Sequence, residues 1–195
     1  MMCGMGRWEP DARDRLVRAA LDLFDEQGYE NTAVAQIAER AGLTKSTYFR
    51  HFKDKREVLF GGQDELVELL VKGIAGAPES AGALKAVEGA LVAIAVTFTE
   101  ERRANGPRRL AVIAANDELR ERDAMKMAGF SSVMQEALRQ RGVAELDAAV
   151  AAELGVVALR VGYGRWLEVG GDFAEVARRA LEEVRLAVRE LEGAE

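Results

Sequence analysis

Apolar residues recur at intervals of three and four along most of this chain, whereas strict alternation of apolar and polar residues is nearly absent. That spacing is the period of an amphipathic α-helix. The first apolar stripe consists of Leu16, Ala19, Ala20, Leu23 and Phe24. The pattern returns, interrupted by glycines, up to a last stripe at residues 173–191. We therefore predict an all-α fold with about nine helices in 195 residues.

Glycine and proline set the expected helix boundaries in the middle of the chain. One helix is expected from about Asp54 into the seventies, and another over residues 81–101. The sequence Asn105-Gly106-Pro107 is expected to end the preceding structure and to start a short helix that runs to about Asn116, because proline is favoured in the first turn of a helix.

Two short helices are predicted on either side of the sequence Ala41-Gly42-Leu43-Thr44. Thr32 is suited to cap the first helix and Thr44 the second, because a hydroxyl oxygen can accept a backbone N–H of the first turn. Two short helices joined by a tight turn are typical of a helix-turn-helix, whose second helix enters the major groove of DNA.

Basic residues are concentrated in one short window of the chain. The whole chain has a net charge of −6, but residues 40–56 hold six Lys or Arg side chains and a single acidic residue, Asp54. Lys45 lies in the first turn of the second predicted helix, where base edges would be nearest. Lys53 lies just beyond that helix, in reach of a phosphate. The other interpretation of such a cluster is a solvated face without function.

The sequence offers no set of residues for catalysis or metal binding. His51 is the only histidine and Cys3 the only cysteine, so neither a metal cage nor a cysteine–histidine pair is expected. We predict no enzyme activity and no cofactor. The N-terminus lacks the apolar run of a signal peptide, and the most apolar segment, residues 89–99, is too short to cross a bilayer. We therefore expect a cytoplasmic protein without a membrane partner.

Three sequence pieces occur together in the N-terminal region: LFDEQGY at the end of the first helix, IAERAGLTKST across the turn, and RHFKDK after it. With these pieces, residues 13–60 resemble the N-terminal DNA-binding domain of the TetR family of bacterial transcriptional repressors. The resemblance covers about a quarter of the chain. It implies a homodimer that binds a palindromic operator in double-stranded DNA.

The resemblance also implies roles for individual residues. Family members place the residues that match Lys45, Ser46 and Thr47 at the DNA, and those that match His51 and Lys55 at phosphates. Packing against the first helix is the other interpretation of His51. The candidate DNA-binding residues are Thr44, Lys45, Ser46, Thr47, Tyr48, Phe49, His51, Lys53 and Lys55.

Three positions depart from the family pattern. Phe49 stands where members usually have tyrosine, and Ala33 where serine or threonine is common. Each change removes a neutral hydrogen bond to a phosphate, and such a bond contributes about 1 kcal/mol. We expect weaker anchoring to the DNA backbone, with Lys53 as a compensating contact. Phe49 is left to lie against a sugar or a thymine methyl group. Tyr48 occupies a position that usually faces inward, so we expect it to be mostly core.

The longer helices lie in the second part of the chain. We predict an N-terminal tail at residues 1–10, the helix-turn-helix domain at 11–56, and a ligand-binding and dimerisation domain at 57–195. Members of the family enclose a small-molecule effector in this last domain. The Met-rich segment 125–134 is either ordinary core or part of an adaptable apolar pocket. The candidate ligand-binding residues are Leu66, Leu70, Leu91, Ile94, Phe98, Ile113, Asn116, Met127, Phe130, Met134, Tyr163 and Trp166.

The last two predicted helices offer a surface for dimerisation. The helix before the last is apolar on more than one side, and such a helix needs cover on both faces. Two helices from each subunit would form a four-helix bundle. The other interpretation is that the last stripe closes its own subunit. The candidate interface residues are Val157, Val161, Phe173, Val176, Ala177, Ala180, Leu181, Val184 and Val188.

These features together predict a DNA-binding transcriptional regulator, a repressor that a small and mostly apolar effector releases from its operator. Two other classes stay open at this stage. One is a ligand-independent architectural DNA-binding protein, which the net charge of −6 disfavours because such proteins rely on phosphate neutralisation. The other is a small-molecule carrier or enzyme that retains a helix-turn-helix.

Overall fold

A computed structural model describes residues 12–191 and Gly193. The predicted tail at residues 1–10, with Cys3, lies outside the described residues. Helices are the only regular secondary structure in this part of the chain, which confirms the all-α prediction. They are α1 (Ala12–Gln27), α2 (Val34–Arg40), α3 (Lys45–His51), α4 (Glu57–Phe60), α5 (Gln63–Ala75), α6 (Ala83–Ala93), α7 (Glu100–Ala114), α8 (Asp117–Gln140), α9 (Glu145–Val169) and α10 (Phe173–Leu191), with a 3-10 segment at Ile94–Thr97.

Three boundaries in the middle of the chain differ from the prediction. The helix expected over residues 81–101 ends at Ala93, a 3-10 segment follows at Ile94–Thr97, and the next helix begins at Glu100. Gly61 and Gly62 separate α4 from α5, which were expected to form one helix. α7 runs through Pro107 as one continuous helix, although proline lacks the N–H that an interior position normally donates. The start of α7 explains this difference, because the Thr99 hydroxyl accepts the backbone N–H of Arg102 at 3.2 Å and so caps the helix well before the proline.

The chain forms two compact units. The first unit extends to Gly61 and also includes Arg108–Leu119, and the second contains Gly62–Pro107 and the chain from Arg120 onward. The sequence-based division placed residues 108–119 in the ligand-binding domain. Their side chains explain the difference, because Ile113 and Leu119 are buried in the core of the first unit.

The core of the first unit lies between its three N-terminal helices. Leu16 and Phe24 of α1 are buried in the same cluster as Ile37 of α2 and Tyr48 of α3. Ion pairs at the surface also link residues 108–119 to α1. Arg108 lies 2.8 Å from a carboxylate oxygen of Asp22 and 2.7 Å from one of Asp25. The first unit is therefore a helix-turn-helix bundle with one additional helical segment.

The second unit is built around two helix crossings. α5 and α6 approach so closely that a Cβ on Gly73 would lie 2.5 Å from both the Cα of Ala90 and the carbonyl oxygen of Gly89. α9 packs on α6 at Gly155, where a Cβ would lie 2.6 Å from a methyl carbon of Val87. The glycines therefore allow close approach that a larger residue would prevent, against the backbone of α6 at Gly73 and against the Val87 side chain at Gly155. No helix in the described part of the chain is long and apolar enough to cross a membrane.

α10 closes the core of this second unit. Its apolar stripe faces inward, and Phe173, Ala177 and Ala180 are buried in the same cluster as residues of α6 and α9. The opposite face of α10 is charged, and includes Arg185 and Glu182. The stripe is therefore covered within a single chain from Phe173 to Val184, while Leu191 at its end is exposed.

We predict that Gly73→Ala lowers the free energy of unfolding by about 1–3 kcal/mol, because the added methyl group meets backbone atoms that can move only if α5 and α6 separate. Gly129→Ala in α8 is the matched control. A Cβ there would meet only the Gln63 side chain at 4.0 Å, so this variant should be unchanged or gain up to about 1 kcal/mol from the higher helix propensity of alanine. Chemical denaturation followed by circular dichroism measures both. Equal stability of the two variants would contradict the close crossing.

Candidate nucleic-acid interface

Short local interactions place the start of α3. Thr44 has an extended backbone, and its hydroxyl accepts the backbone N–H of Thr47 at 3.1 Å and lies 3.0 Å from the Thr47 hydroxyl. The turn before it contains Gly42 in a left-handed conformation with φ of 66°, and the N–H of Leu43 donates to the carbonyl of Ala38 at 2.8 Å. The predicted cap at Thr44 is therefore present. Thr32 does not cap α2, because α2 begins after Ala33 and the Thr32 hydroxyl donates to the carbonyl of Gly28 at 2.8 Å.

Tyr48 fastens α3 to the rest of the first unit. Its side chain is fully buried, and its hydroxyl donates to the carbonyl of Asp54 at 3.1 Å. Burial raises the pKa of this phenol above its ordinary value, so the group stays neutral. Tyr48 therefore belongs to the core and is not available to DNA, contrary to its place among the candidate DNA-binding residues.

The exposed side of α3 carries four side chains on one face. They are Lys45, Ser46, Phe49 and Arg50. Their spacing of one, four and five residues places them together on a helix. Thr47 is half-buried and bonded to Thr44. Arg50 was absent from the sequence-based candidates, although its distance of four residues from Ser46 and five from Lys45 is a signal that it shares their face.

Half of the six cations in the basic window are engaged within the protein. Both terminal nitrogens of Arg40 contact the Glu26 carboxylate at 2.8 Å. Arg56 lies 2.8 Å from Asp54 and 2.7 Å from Glu118. Partial burial of the Asp54 carboxyl opposes its ionisation, but hydrogen bonds from Arg56 and from the backbone N–H of Glu57, together with the charge of Arg56, lower its pKa overall. These two arginines therefore stabilise the first unit through ion pairs.

Lys55 is the third engaged cation. Its Nζ donates to the carbonyl of Tyr29 at 2.7 Å and lies 4.1 Å from the centre of the Tyr29 ring. Burial raises the pKa of Tyr29 to about 12, so this ring also stays neutral beside the ammonium. Contact of Lys55 with a phosphate stays a prediction.

Three cations of the window face solvent without a carboxylate partner among the described residues. They are Lys45, Arg50 and Lys53. The Nζ of Lys45 lies 5.9 Å from the centre of the Phe49 ring. These side chains give the outer side of α3 and the residues after it a positive charge that nearby acidic groups do not cancel.

His51 ends α3 and is half-buried, with its ring 6.4 Å from that of Phe52. Its contact with a phosphate stays a prediction. Across the described residues, no three His, Cys, Asp or Glu side chains are grouped in a way that would hold a metal ion.

The candidate ligand-binding residues divide between the two units. Ten of them lie in or against the core of the second unit, where Phe98 stacks on Phe173 with ring centres 3.6 Å apart and Trp166 meets Phe98 edge to face. Ile113 and Asn116 belong instead to the first unit. Asn116 has a structural role there, since its amide donates to Glu30 at 2.6 Å and its oxygen accepts the N–H of Leu119 at 3.2 Å.

The candidate dimer residues also separate into two groups. Val157 and Val161 of α9 are exposed, with 44% and 37% of their surface accessible. Val176 and Val188 of α10 are intermediate. The other five are buried in the core of their own chain and have almost no surface left for a partner: Phe173, Ala177, Ala180, Leu181 and Val184. Sequence periodicity missed two further exposed residues on the same face of α9, Leu146 and Val150.

The geometry of the first unit defines a class of protein domain: a helix-turn-helix whose second helix presents a cationic face to solvent. Residues 16–61 match the family model described as bacterial regulatory proteins, tetR family. This match covers about a quarter of the chain and agrees with the sequence resemblance of the N-terminal region.

An individual protein shows a similar partial likeness. The HTH-type transcriptional regulator TcmR of Streptomyces glaucescens is 40% identical over 82 residues, which are 42% of this chain and 36% of that protein. The match therefore spans about a third of that relative's length.

Solved structures share the fold over most of the chain. The structure of the SmeT–triclosan complex has a TM-score of 0.59 at 20% identity and covers 90% of both chains. Native NalD of Pseudomonas aeruginosa, described as the secondary repressor of the MexAB-OprM multidrug efflux pump, has a TM-score of 0.56 at 20% identity and covers 89% of this chain and 94% of that one.

We predict that Lys53→Ala weakens DNA binding and lowers the slope of log affinity against log salt by about one per subunit, because one phosphate contact is lost. Lys72→Ala is the matched control, since it removes the same charge from an exposed lysine of the second unit. Salt titrations of duplex binding compare the two variants with the parent protein. An unchanged slope in Lys53→Ala would mean that Lys53 does not contact a phosphate.

Proposed function

We propose that this protein is a DNA-binding transcriptional regulator that binds a palindromic operator as a homodimer. The observation that carries the proposal is the face of α3: two cations and a hydroxyl on a capped, anchored helix within a tetR-family domain. A helix of this kind docks in the major groove, and pairing of two subunits doubles the length of DNA that is read. The described NalD repressor supports repression as the direction of control.

A homodimer would use the exposed apolar face of α9. Leu146, Val150, Val157 and Val161 are exposed at spacings of four and seven residues, so they form one stripe along the helix. Water-exposed valine and leucine side chains gain free energy when they are covered. A second copy of α9 supplies a matching surface, because a two-fold interface brings the same patch of both subunits together.

A small apolar effector is the proposed signal, and the cytoplasm is the proposed location. Support comes from the aromatic cluster of Phe98, Tyr163, Trp166 and Phe173 in the second unit, and from the triclosan bound to SmeT. Since these side chains already pack closely, an effector would have to separate them. Its binding would then favour a conformation that differs from the packed one, and control requires that the two conformations bind DNA with different affinity.

The proposed function predicts sequence-specific binding that survives physiological salt. Protein should be used to select duplexes from a random pool, and the affinity for the selected duplex should be compared with that for a scrambled duplex of the same composition. We expect a palindrome to be enriched and to bind at least about a thousandfold more tightly, the usual lower bound for specific recognition.

Other outcomes of the selection would favour other classes. Equal binding of both duplexes with a steep salt slope would favour an architectural protein. Weak binding of both would favour a carrier that retains a helix-turn-helix. The same assay tests the effector when apolar compounds, triclosan among them, are added: by linkage, a compound that binds the second unit and leaves DNA affinity unchanged is not an effector.

The dimer predicts that Val157→Lys shifts the protein towards monomer in sedimentation velocity, because the lysine would place a charge in the covered stripe. Val96→Lys is the matched control, since Val96 is also exposed but lies in the 3-10 segment and not on α9. We expect this control to sediment as the parent protein does. A Val157→Lys variant that remains as dimeric as the parent would place the interface elsewhere.

A further inference from the structure

The exposed face of α3 contains one residue whose chemistry differs from that of its neighbours. Lys45, Ser46 and Arg50 are polar or charged, whereas Phe49 is a large apolar side chain with 47% of its surface exposed. Single exposed apolar residues are common on protein surfaces, but this one lies within the face that is proposed to meet DNA. Phe49 lies between the two cations along the helix, so a duplex bound by Lys45 and Arg50 would also meet the phenyl ring.

The Phe49 ring contacts its neighbours on α3 and keeps about half of its surface exposed. The ring meets Tyr48 edge to face, with centres 5.6 Å apart and planes at 82°. Tyr48 is itself fully buried and bonded to Asp54, so it provides a rigid support. The ammonium of Lys45 lies 5.9 Å from the ring centre. An apolar surface of fixed position is thus presented beside a hydrogen-bond donor.

The major groove offers one apolar group to such a surface. The base edges there present hydrogen-bond donors and acceptors, together with the C5 methyl group of thymine. A phenyl ring has no donor for a phosphate oxygen or a base acceptor, so contact with the methyl group is the interaction that its chemistry favours. Covering that methyl group would remove apolar surface of both partners from water.

We propose that Phe49 is a specificity-determining residue that contacts the methyl group of one thymine in each half-site. The inference rests on the proposed function, since it requires a selected operator. A specificity-determining role differs from a contribution to affinity alone. Contact of the ring with a deoxyribose would strengthen binding to every sequence alike. The proposal therefore concerns which base is read and not only how tightly the duplex is held.

Replacement of thymine by deoxyuridine tests the proposal, because it removes the C5 methyl group and keeps the base-pairing groups. Each thymine of the selected palindrome should be replaced in turn, symmetrically in both half-sites, and the dissociation constant measured. One methyl group in a hydrophobic contact is expected to change affinity about fourfold, and two about fifteenfold. We expect one thymine position per half-site to show this loss with the parent protein.

Variants of the same helix face identify the residue responsible. Phe49→Ala should bind the thymine and deoxyuridine duplexes equally at that position, whereas Phe49→Leu should retain part of the preference. Arg50→Ala is the matched control: it should weaken binding to both duplexes and keep their ratio. Circular dichroism should confirm that all variants fold, as expected for side chains that face solvent.

The possible results separate the inference from the proposed function. If no thymine position responds, or if the preference persists in Phe49→Ala, the inference is wrong while the selected operator still supports the proposed function. If Phe49→Ala weakens every duplex by the same factor, the ring contacts the backbone and the inference is again wrong. If the selection enriches no sequence, both the proposed function and the inference fail.

Discussion

α3, the helix that is proposed to face DNA, depends on the side chain buried beneath it. α3 has only seven residues, and isolated helices shorter than about 12–15 residues are marginal in water. Its conformation is therefore determined by tertiary contacts: the Tyr48 ring in the core, the Tyr48 hydroxyl on the carbonyl of Asp54, and the Thr44 cap. The direction of every exposed side chain on α3 follows from these contacts, because a rotation of the helix would expose the buried ring.

The cations of the basic window fall into two groups: some stabilise the first unit, and the others face solvent. Arg40 and Arg56 are neutralised by Glu26, Asp54 and Glu118, and Lys55 is bonded to a backbone carbonyl. These cations connect parts of the first unit that are distant in sequence. The remaining cations are concentrated at and just after α3, so an acidic protein can still present a local positive surface to a polyanion.

The features that could be predicted most accurately from the sequence are those that depend on residues close together in the chain. The helix-turn-helix could be located because the cap at Thr44, the left-handed Gly42 and the three-to-four spacing all act within a few residues. The continuous α7 was not predicted, because Pro107 is typical of a first turn and residue 99 was expected to lie inside a helix, whereas Thr99 caps α7 in the structure. The place of Ile113 and Asn116 could not be predicted, since it depends on contacts with α1 and the following loop about 85 residues earlier in the chain.

The packing of α10 could not be predicted for a different reason. A stripe of apolar residues has the same period whether it packs on its own chain or on a partner, so Phe173 and Ala177 could be recognised as buried but not assigned to a surface. The structure assigns them to the core of their own chain. The separate stripe on α9 was less visible in sequence because that helix is apolar on several sides.

The burial of α10 within one chain has a consequence for the cell. A subunit whose core is complete does not need a partner in order to fold, so the proposed dimer could separate into folded monomers at low abundance. Occupancy of a two-part operator would then rise with the square of the monomer concentration until the dimer predominates. The number of copies in the cell would in this way act as a second input to gene control, alongside any effector.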